Sequence, residues 1–165
     1  MIVAVDVQYE EGLARAAGVG FDAWTDVKER ASKVLTREVP ADYQPGHFFE
    51  RELPCILPVL RAFLDEGPVS LVLVDGYVDL GPERPGLGRV LFDTLERRIP
   101  IVGVAKTSFH DAPARSVLRG ASKSPLFVTA TFEVDEAARR VQEMAGQFRI
   151  PTLLKRVDRL ARGDA

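Results

Sequence analysis

Short apolar runs that close at a single acidic residue constrain the fold of this chain more than any other feature. The run Leu71–Val74 ends at Asp75, and Asp6 lies within the apolar run that starts the chain. Runs of this length, bounded by turn signals, predict strands that are buried on both faces. An isolated carboxylate at such a place is costly unless its charge is compensated. We therefore expect both acids to have a partner.

A third acid, Glu52, lies on a helix predicted over residues 47–66. The apolar residues of this segment recur at spacings of three and four and form one stripe. They are Phe49, Leu53, Ile56, Leu57, Leu60, Phe63 and Leu64. At about 100° per residue, Glu52 falls inside the stripe, between the directions of Val59 and Phe63. Arg51 points away from it, so the pattern predicts that Glu52 is directed inward.

Three acids that converge in space would form a set of oxygen ligands, and a divalent cation would relieve their mutual repulsion. Mg²⁺ is the natural candidate, with Mn²⁺ as its substitute. Each acid also has a simpler interpretation. Asp6 is compatible with a capping role, and Asp75 with a turn. Glu52 is compatible with an ion pair to Arg51 or with a helix start, where the helix dipole favours an acid.

The composition predicts a single soluble domain over residues 1–165. The chain is 46% apolar and 28% charged, which is typical of a globular protein with a sizeable core. It has neither an apolar run near the roughly 18 residues that span a bilayer nor a basic leader followed by an apolar one. Its single cysteine, Cys55, predicts a reducing compartment and a packing role. We therefore expect a cytoplasmic protein.

Charge is distributed unevenly along the chain. The net charge is −2, but residues 1–83 hold seven Lys and Arg against fifteen Asp and Glu, a balance of −8. Residues 84–165 hold fifteen against nine, a balance of +6. An acidic half that supplies metal ligands and a basic half that contacts phosphates would produce this distribution. Surface helices that merely differ in charge would produce it too.

The order of predicted elements favours one architecture. Three strands lead, over residues 2–9, 12–21 and 31–39, although residues 28–35 also have a helical interpretation. The helix at residues 47–66 follows, with Pro58 on its outer side. The remaining elements are a strand at 70–75, a helix at 87–97, strands at 100–105, 116–119 and 126–131, and helices that begin at Asp135 and after Ile150-Pro151.

Three strands followed by helix, strand, helix and strand is the order of the ribonuclease H-like architecture. That architecture is an α/β fold with a mixed sheet and helices on both faces. Its first and fourth strands are neighbours. The fold therefore predicts that Asp6 lies beside Asp75.

Four motifs occur in a fixed order along the chain. They are VDVQY at residues 5–9, YQPGHFFERE at 43–52, LVDG at 73–76 and GVAK at 103–106. Together they resemble the motifs of the endonuclease V family, the deoxyinosine 3′ endonucleases of the ribonuclease H-like superfamily. A weaker similarity continues through VTATFEVDEAARRV and FRIPTLLKRVDRLA near the end of the chain.

The resemblance implies a metal-dependent endonuclease of the DNA repair type. Asp6, Glu52 and Asp75 would bind Mg²⁺, and the substrate would be DNA or RNA that carries a deaminated purine. Cleavage would fall on its 3′ side, characteristically at the second bond from deoxyinosine. Lys106 would contact the scissile phosphate or the attacking water. Without the resemblance, a solvated lysine at a strand end is the simpler interpretation.

The resemblance also assigns recognition residues. The tip Tyr43-Gln44-Pro45 would be a wedge that enters the duplex as the damaged base leaves the stack. A tyrosine packed over its own loop is the alternative. Backbone groups around Gly76 and Gly103 are the candidates for the lesion pocket.

The sequence departs from the family pattern at supporting positions. Gly81 stands where the family has a histidine, and Thr131-Phe132 replaces its late Gly-His pair. We find no match to the family's late metal-site aspartate near Lys123 and Ser124. These departures favour, as an alternative, a catalytically weak nucleic-acid-binding relative with the same fold. A third interpretation is another ribonuclease H-like nuclease that acts on branched or RNA-containing substrates.

Overall fold

The structure, a computed structural model, describes residues 1–39 and 48–164, and the side chains of residues 1–39 and 51–164. The predicted wedge Tyr43-Gln44-Pro45 lies outside the described residues. The elements in chain order are β1 (Ile2–Glu10), β2 (Leu13–Phe21), β3 (Ala31–Glu38), α1 (Phe48–Leu64), β4 (Leu71–Asp75), β5 (Asp79–Gly81), β6 (Arg84–Pro85), α2 (Leu87–Thr94), β7 (Ile101–Ala105), β8 (Arg115–Val117), β9 (Leu126–Ala130), α3 (Val134–Glu143) and α4 (Thr152–Arg162).

The main sheet is mixed and has the strand order β3-β2-β1-β4-β7-β9-β8. β1, β4 and β7 run parallel at its centre, and the other strands pair with their neighbours in antiparallel fashion. The predicted pairing of the first and fourth strands is confirmed. Strands β5 and β6 form a separate small hairpin that the sequence did not predict.

Helices cover both faces of the sheet, as predicted. Side chains of β1 alternate between the faces because successive residues of a strand point to opposite sides. Val3 and Val5 pack into the core formed with α1 and α2. Ile2 and Ala4 pack into the core formed with α3 and α4. A site at the end of β1 is therefore accessible to residues from α1 on one side and from α4 on the other.

Local details differ from the sequence predictions. Residues 31–38 are a strand, so the helical interpretation of this segment is wrong. Helix α2 ends at Thr94 rather than Arg97, because Glu96 and Arg97 have positive φ angles of 56° and 58°. Pro58 is exposed on α1, as predicted. Among the described residues, no helix combines the length and apolarity that a membrane span requires.

Candidate active site

Two of the predicted acids lie side by side at the carboxyl edge of the sheet. β1 and β4 run parallel with Val5 opposite Val74, so Asp6 and Asp75 are the next residues on neighbouring strands. Lys106 follows β7, the strand on the other side of β4. Its Nζ lies 3.3 Å from Asp75 Oδ2. The sheet thus brings together three residues that are far apart in the sequence.

Asp6 is a buried carboxylate with local hydrogen-bond donors. The main-chain N–H of Val7 donates to its Oδ1 at 2.9 Å, and Gln8 Nε2 donates to its Oδ2 at 3.2 Å. Burial, with repulsion from Asp75 as the second cause, raises the pKa of Asp6 to about 6 despite these bonds. The two donors orient the carboxylate but leave its charge incompletely compensated.

Glu52 approaches the same edge from α1. Its pKa is raised to about 7 by burial and then by the negative charges of Asp6 and Asp75. Arg51 lowers this pKa only as the smallest contribution. The guanidinium of Arg51 lies 3.7 Å from the centre of the Tyr9 ring, so this residue is half-buried instead of pointing outward. The inward direction predicted for Glu52 agrees with this electrostatic coupling to the other acids.

A fourth acid, Asp158 of α4, belongs to this group and is not among the residues predicted from the sequence. It is 5% exposed and adds to the repulsion that raises the pKa of Asp6. Burial alone would raise the pKa of Asp158, but the hydrogen bond from Arg162 and the charge of Lys106 outweigh it and lower that pKa. Asp158 on α4, and not a residue near Lys123, is therefore the candidate for the family's late metal-site aspartate.

A sequence signal for Asp158 was present. It lies in the FRIPTLLKRVDRLA segment that resembles the family, and it shares the buried face of α4 with Leu153, Val157 and Ala161. An acid inside an apolar helical stripe is the same signal that identified Glu52.

Asp75 stands between two cavities. The first, the acid cavity, has a volume of about 30 Å³, room for roughly one water-sized group. Its polar walls are Asp6, Asp75, Lys106 and Asp158. The second, the hairpin cavity, has a volume of about 420 Å³ and lies under the β5–β6 hairpin. Its walls are Glu52, Asp75, Gly76, Tyr77, Leu80, Glu83, Arg84, Pro85, Gly86 and Leu87.

The two glycines predicted for the lesion pocket have different positions. Gly76 lines the hairpin cavity, with φ of +131°. Gly103 of β7 is not among the residues that line it. A Cβ on Gly103 would lie 2.5 Å from the carbonyl oxygen of Gly76, so Gly103 allows the loop after Asp75 to lie directly on β7. Its contribution to the cavity wall is therefore indirect.

The carboxylates form a donor set that suits a hard divalent cation. Within the part of the chain that the structure describes, no three His, Cys, Asp or Glu side chains are grouped closely enough to hold a metal ion. Burial raises the pKa values of Asp6 and Glu52 first, and neighbouring negative charges raise them second, those of Asp75 and Asp158 for Asp6 and those of Asp6 and Asp75 for Glu52. Of the histidines, His110 is bonded to Asp111 in an exposed loop. The oxygen atoms of the acids are thus the candidate ligands.

The endonuclease V family model matches residues 1–131, which include Asp6, Glu52, Asp75 and Lys106. The chain belongs to the endonuclease V family. Endonuclease V of Pyrococcus abyssi is 31% identical over 163 residues, which cover 98% of this chain and 79% of that protein. Endonuclease V of Sulfolobus acidocaldarius is 29% identical over 109 residues, 66% of this chain and half of that relative's length.

Solved structures of the family share the fold. The crystal structure of endonuclease V from Streptomyces avermitilis has a TM-score of 0.77 at 27% identity, covering 98% of this chain and 79% of that one. Endonuclease V of Ciona intestinalis has a TM-score of 0.81 at 19% identity, covering 98% and 84%. That protein was crystallised with a 24mer DNA containing an inosine followed by a ribo-adenosine. The predicted family and the ribonuclease H-like sheet are therefore confirmed.

Proposed function

We propose that this chain is a divalent-metal-dependent endonuclease that cleaves a phosphodiester bond on the 3′ side of a deaminated purine. One observation carries the proposal. Asp6, Asp75 and Asp158, together with Lys106, line one small cavity in a chain of the endonuclease V family. Carboxylates can hold a divalent cation that activates water, and a lysine can stabilise the charge that develops on a phosphate, so this set of side chains suits phosphodiester hydrolysis.

Asp6, Glu52 and Asp75 would hold Mg²⁺, which Mn²⁺ would replace, and Asp158 would add a fourth carboxylate. A divalent cation at this position supplies a lowered pKa for its bound water and stabilises negative charge on a phosphate. Carboxylates that repel one another would draw closer to a shared cation, since it removes the cause of their repulsion.

Lys106 has two partners in this proposal. In the structure its ammonium group bonds to Asp75, and the Lys106 side chain is 40% exposed. When a phosphate enters, the same group would donate to a phosphate oxygen and stabilise the charge that develops there. Gln8 and the main chain of Val7 would meanwhile keep the Asp6 carboxylate oriented.

The hairpin cavity would receive the displaced base. Its volume of about 420 Å³ lies within the range of roughly 300–1,000 Å³ that is typical of small-molecule sites. It shares Asp75 with the acid cavity, so a base bound there would leave its neighbouring phosphates close to the acids. Gly76 would offer main-chain groups to the edge of the base, and Tyr77 a ring at the wall.

The remaining recognition elements rest on the sequence resemblance. Tyr43-Gln44-Pro45 would act as the wedge that replaces the lost stacking. DNA with a deaminated base is the proposed substrate, because the Ciona intestinalis relative was crystallised with inosine-containing DNA. RNA with inosine is the second substrate to be assayed.

The test is cleavage of an end-labelled duplex with one deoxyinosine, beside a matched duplex without it. We expect a single product, cut at the second bond on the 3′ side, with Mg²⁺ or Mn²⁺ and none with chelator. Tight, lesion-selective binding without cleavage would overturn the proposal in favour of the nucleic-acid-binding relative. Cleavage at branched or ribonucleotide junctions alone would favour a different ribonuclease H-like nuclease.

A further inference from the structure

The segment that joins α3 to α4, residues 144–151, is held by a buried arginine. Arg119 is 5% exposed. Its guanidinium donates to main-chain carbonyls of this segment, those of Met144, Gly146, Phe148 and Arg149. The neighbouring Gly120 packs so closely that a Cβ there would lie 2.1 Å from the carbonyl oxygen of Gln147. The segment is therefore a fixed element of the fold.

Arg149 extends from this fixed segment to the ends of two strands. Its Nη2 donates to the main-chain carbonyl of Lys106 at 2.5 Å and to that of Pro125 at 2.8 Å. Lys106 directly follows β7, and Pro125 directly precedes β9, the strand paired with β7. The guanidinium thus clamps the backbone where the lysine side chain begins.

The position of the Lys106 backbone matters because its side chain serves two acids. The ammonium group bonds to Asp75 at 3.3 Å, and Lys106 lines the acid cavity together with Asp158. A lysine carries its charge at the end of a flexible four-carbon side chain. The position of its ammonium group therefore depends on how firmly the Lys106 main chain is held. Arg149 holds the Lys106 main chain by its hydrogen bond to the carbonyl, and it belongs to the same segment that leads into α4 and Asp158.

We propose that Arg149 is a positioning residue for Lys106. It holds the Lys106 carbonyl so that the ammonium group stays between Asp75 and Asp158, where a scissile phosphate would meet it. This inference rests on the proposed function, since it assigns Arg149 a role that acts through Lys106. In it, Arg149 itself does not contact the substrate.

The test is a double-mutant cycle on single-turnover cleavage of the inosine duplex. The proteins are the wild type, Arg149→Met, Lys106→Met and the double variant. Arg149→Lys tests partial rescue, because an ammonium group can reach one of the two carbonyls. Arg139→Met is the matched control: it removes an exposed arginine of α3 that pairs with Glu143. Circular dichroism and Tm verify that each variant folds.

We expect Arg149→Met to lower the single-turnover rate constant on the order of 10- to 100-fold, the cost of misplacing a reacting group. Affinity for the duplex in chelator should change far less. In the Lys106→Met background the same substitution should have almost no effect, because residues that act as a unit are not additive. Arg149→Lys should recover part of the loss, and Arg139→Met should match the wild type.

Two outcomes overturn the inference alone while cleavage by the wild type supports the proposed function. In the first, the losses from Arg149→Met and Lys106→Met multiply, which means that Arg149 acts independently. In the second, Arg149→Met weakens only DNA affinity, which means that Arg149 contacts a phosphate itself.

Hydrogen exchange separates failure of the inference from failure of the proposed function. Arg149→Met should accelerate amide exchange in the peptide covering residues 101–107, and Arg139→Met should leave it unchanged. Absence of cleavage by the wild type overturns the proposed function and, with it, the proposal that Arg149 positions Lys106 for cleavage. Unchanged amide exchange of residues 101–107 in Arg149→Met overturns the claim that Arg149 holds the Lys106 main chain in place.

Discussion

The two cavities that meet at Asp75 differ in size and in chemistry. The acid cavity, about 30 Å³, has three carboxylates and a lysine among lining residues that are otherwise apolar, and it faces α4. The hairpin cavity, about 420 Å³, is walled largely by loop residues and has Glu52 at its α1 side. One has room for an ion or a water molecule, and the other for a planar base. Under the proposed function, the metal ion would lie where the two cavities meet, because Asp6 lines the acid cavity and Glu52 the hairpin cavity, and the displaced base would occupy the hairpin cavity.

Asp75→Asn should have the largest effect, because Asp75 is the one residue among the described linings that both cavities share. We expect the single-turnover rate constant to fall by roughly 10³-fold, the loss of about 4 kcal/mol of transition-state stabilisation. Folding should be retained, since Asp75 is exposed. Asp65→Asn, which neutralises an exposed acid after α1, is the control. A rate near that of the wild type would show that the two cavities do not form one site.

Asp6→Asn should stabilise the metal-free protein. The folded state binds a proton on Asp6 more tightly than the unfolded chain does, because its pKa is raised from 3.8 to about 6. This contribution therefore favours folding at low pH and is lost as pH rises from about 4 to about 6. The shift corresponds to about 3 kcal/mol at neutral pH.

Denaturant titrations of the wild type and Asp6→Asn in chelator, at pH 4 and at pH 7.5, measure this difference. We expect the variant to gain stability over the wild type only at the higher pH. Glu52, whose pKa is raised to about 7, should add pH dependence of the same sign up to pH 7. Equal stabilities at both pH values would show that the acids of the site are already compensated.

Asp158→Asn separates the acid cavity from the hairpin cavity. Its carboxylate lines only the acid cavity of the two, so cleavage should fall while base recognition is retained. We expect a loss of roughly 10- to 100-fold in metal affinity, the usual cost at a supporting position. Titration of Mn²⁺ against cleavage rate measures it, with Asp164→Asn, at an exposed acid just beyond the end of the same helix, as the control. Loss of selectivity for inosine in Asp158→Asn would contradict the assignment of base recognition to the hairpin cavity.

Leu80→Trp should have the smallest effect and should act on recognition alone. Leu80 lines the hairpin cavity, and an indole there would fill space that the base needs. We expect the preference for inosine over undamaged DNA to fall by roughly tenfold, as the removal of a favourable pocket contact does. Competition between the two duplexes measures this preference. Leu118→Trp, at an exposed leucine, should preserve it, and unchanged selectivity in Leu80→Trp would place the base elsewhere.

The strand acids could be predicted because their neighbours carry the signal. A continuous apolar run such as Leu71–Val74 identifies a central strand, and the element order then places Asp6 beside Asp75. The inward direction of Glu52 follows from the helical period, and the resemblance of residues 43–52 to the family motif adds its role as a ligand. Both predictions rest on apolar patterns that extend over many residues. A single residue that departs from the pattern therefore does not change the prediction.

Asp158 and the hairpin escaped prediction for different physical reasons. On α4 the apolar residues alone predict the buried face, and the charge of Asp158, next to Val157, predicts an exposed position instead. The β5–β6 hairpin has strands of three and two residues rich in Gly, Pro and charge, too short for a period-2 pattern. The clamp of Arg149 is made by main-chain carbonyls, which no sequence pattern displays.

The most direct measurement of the central claim is the position of Mn²⁺ in a crystal of the wild-type protein, located by its anomalous scattering. We expect an ion that is bound directly by carboxylate oxygens of Asp6, Glu52 and Asp75, the ligands that hard divalent cations prefer. Lys106 should then have left Asp75. An ion bound elsewhere, or no ion with Lys106 still on Asp75, would contradict it.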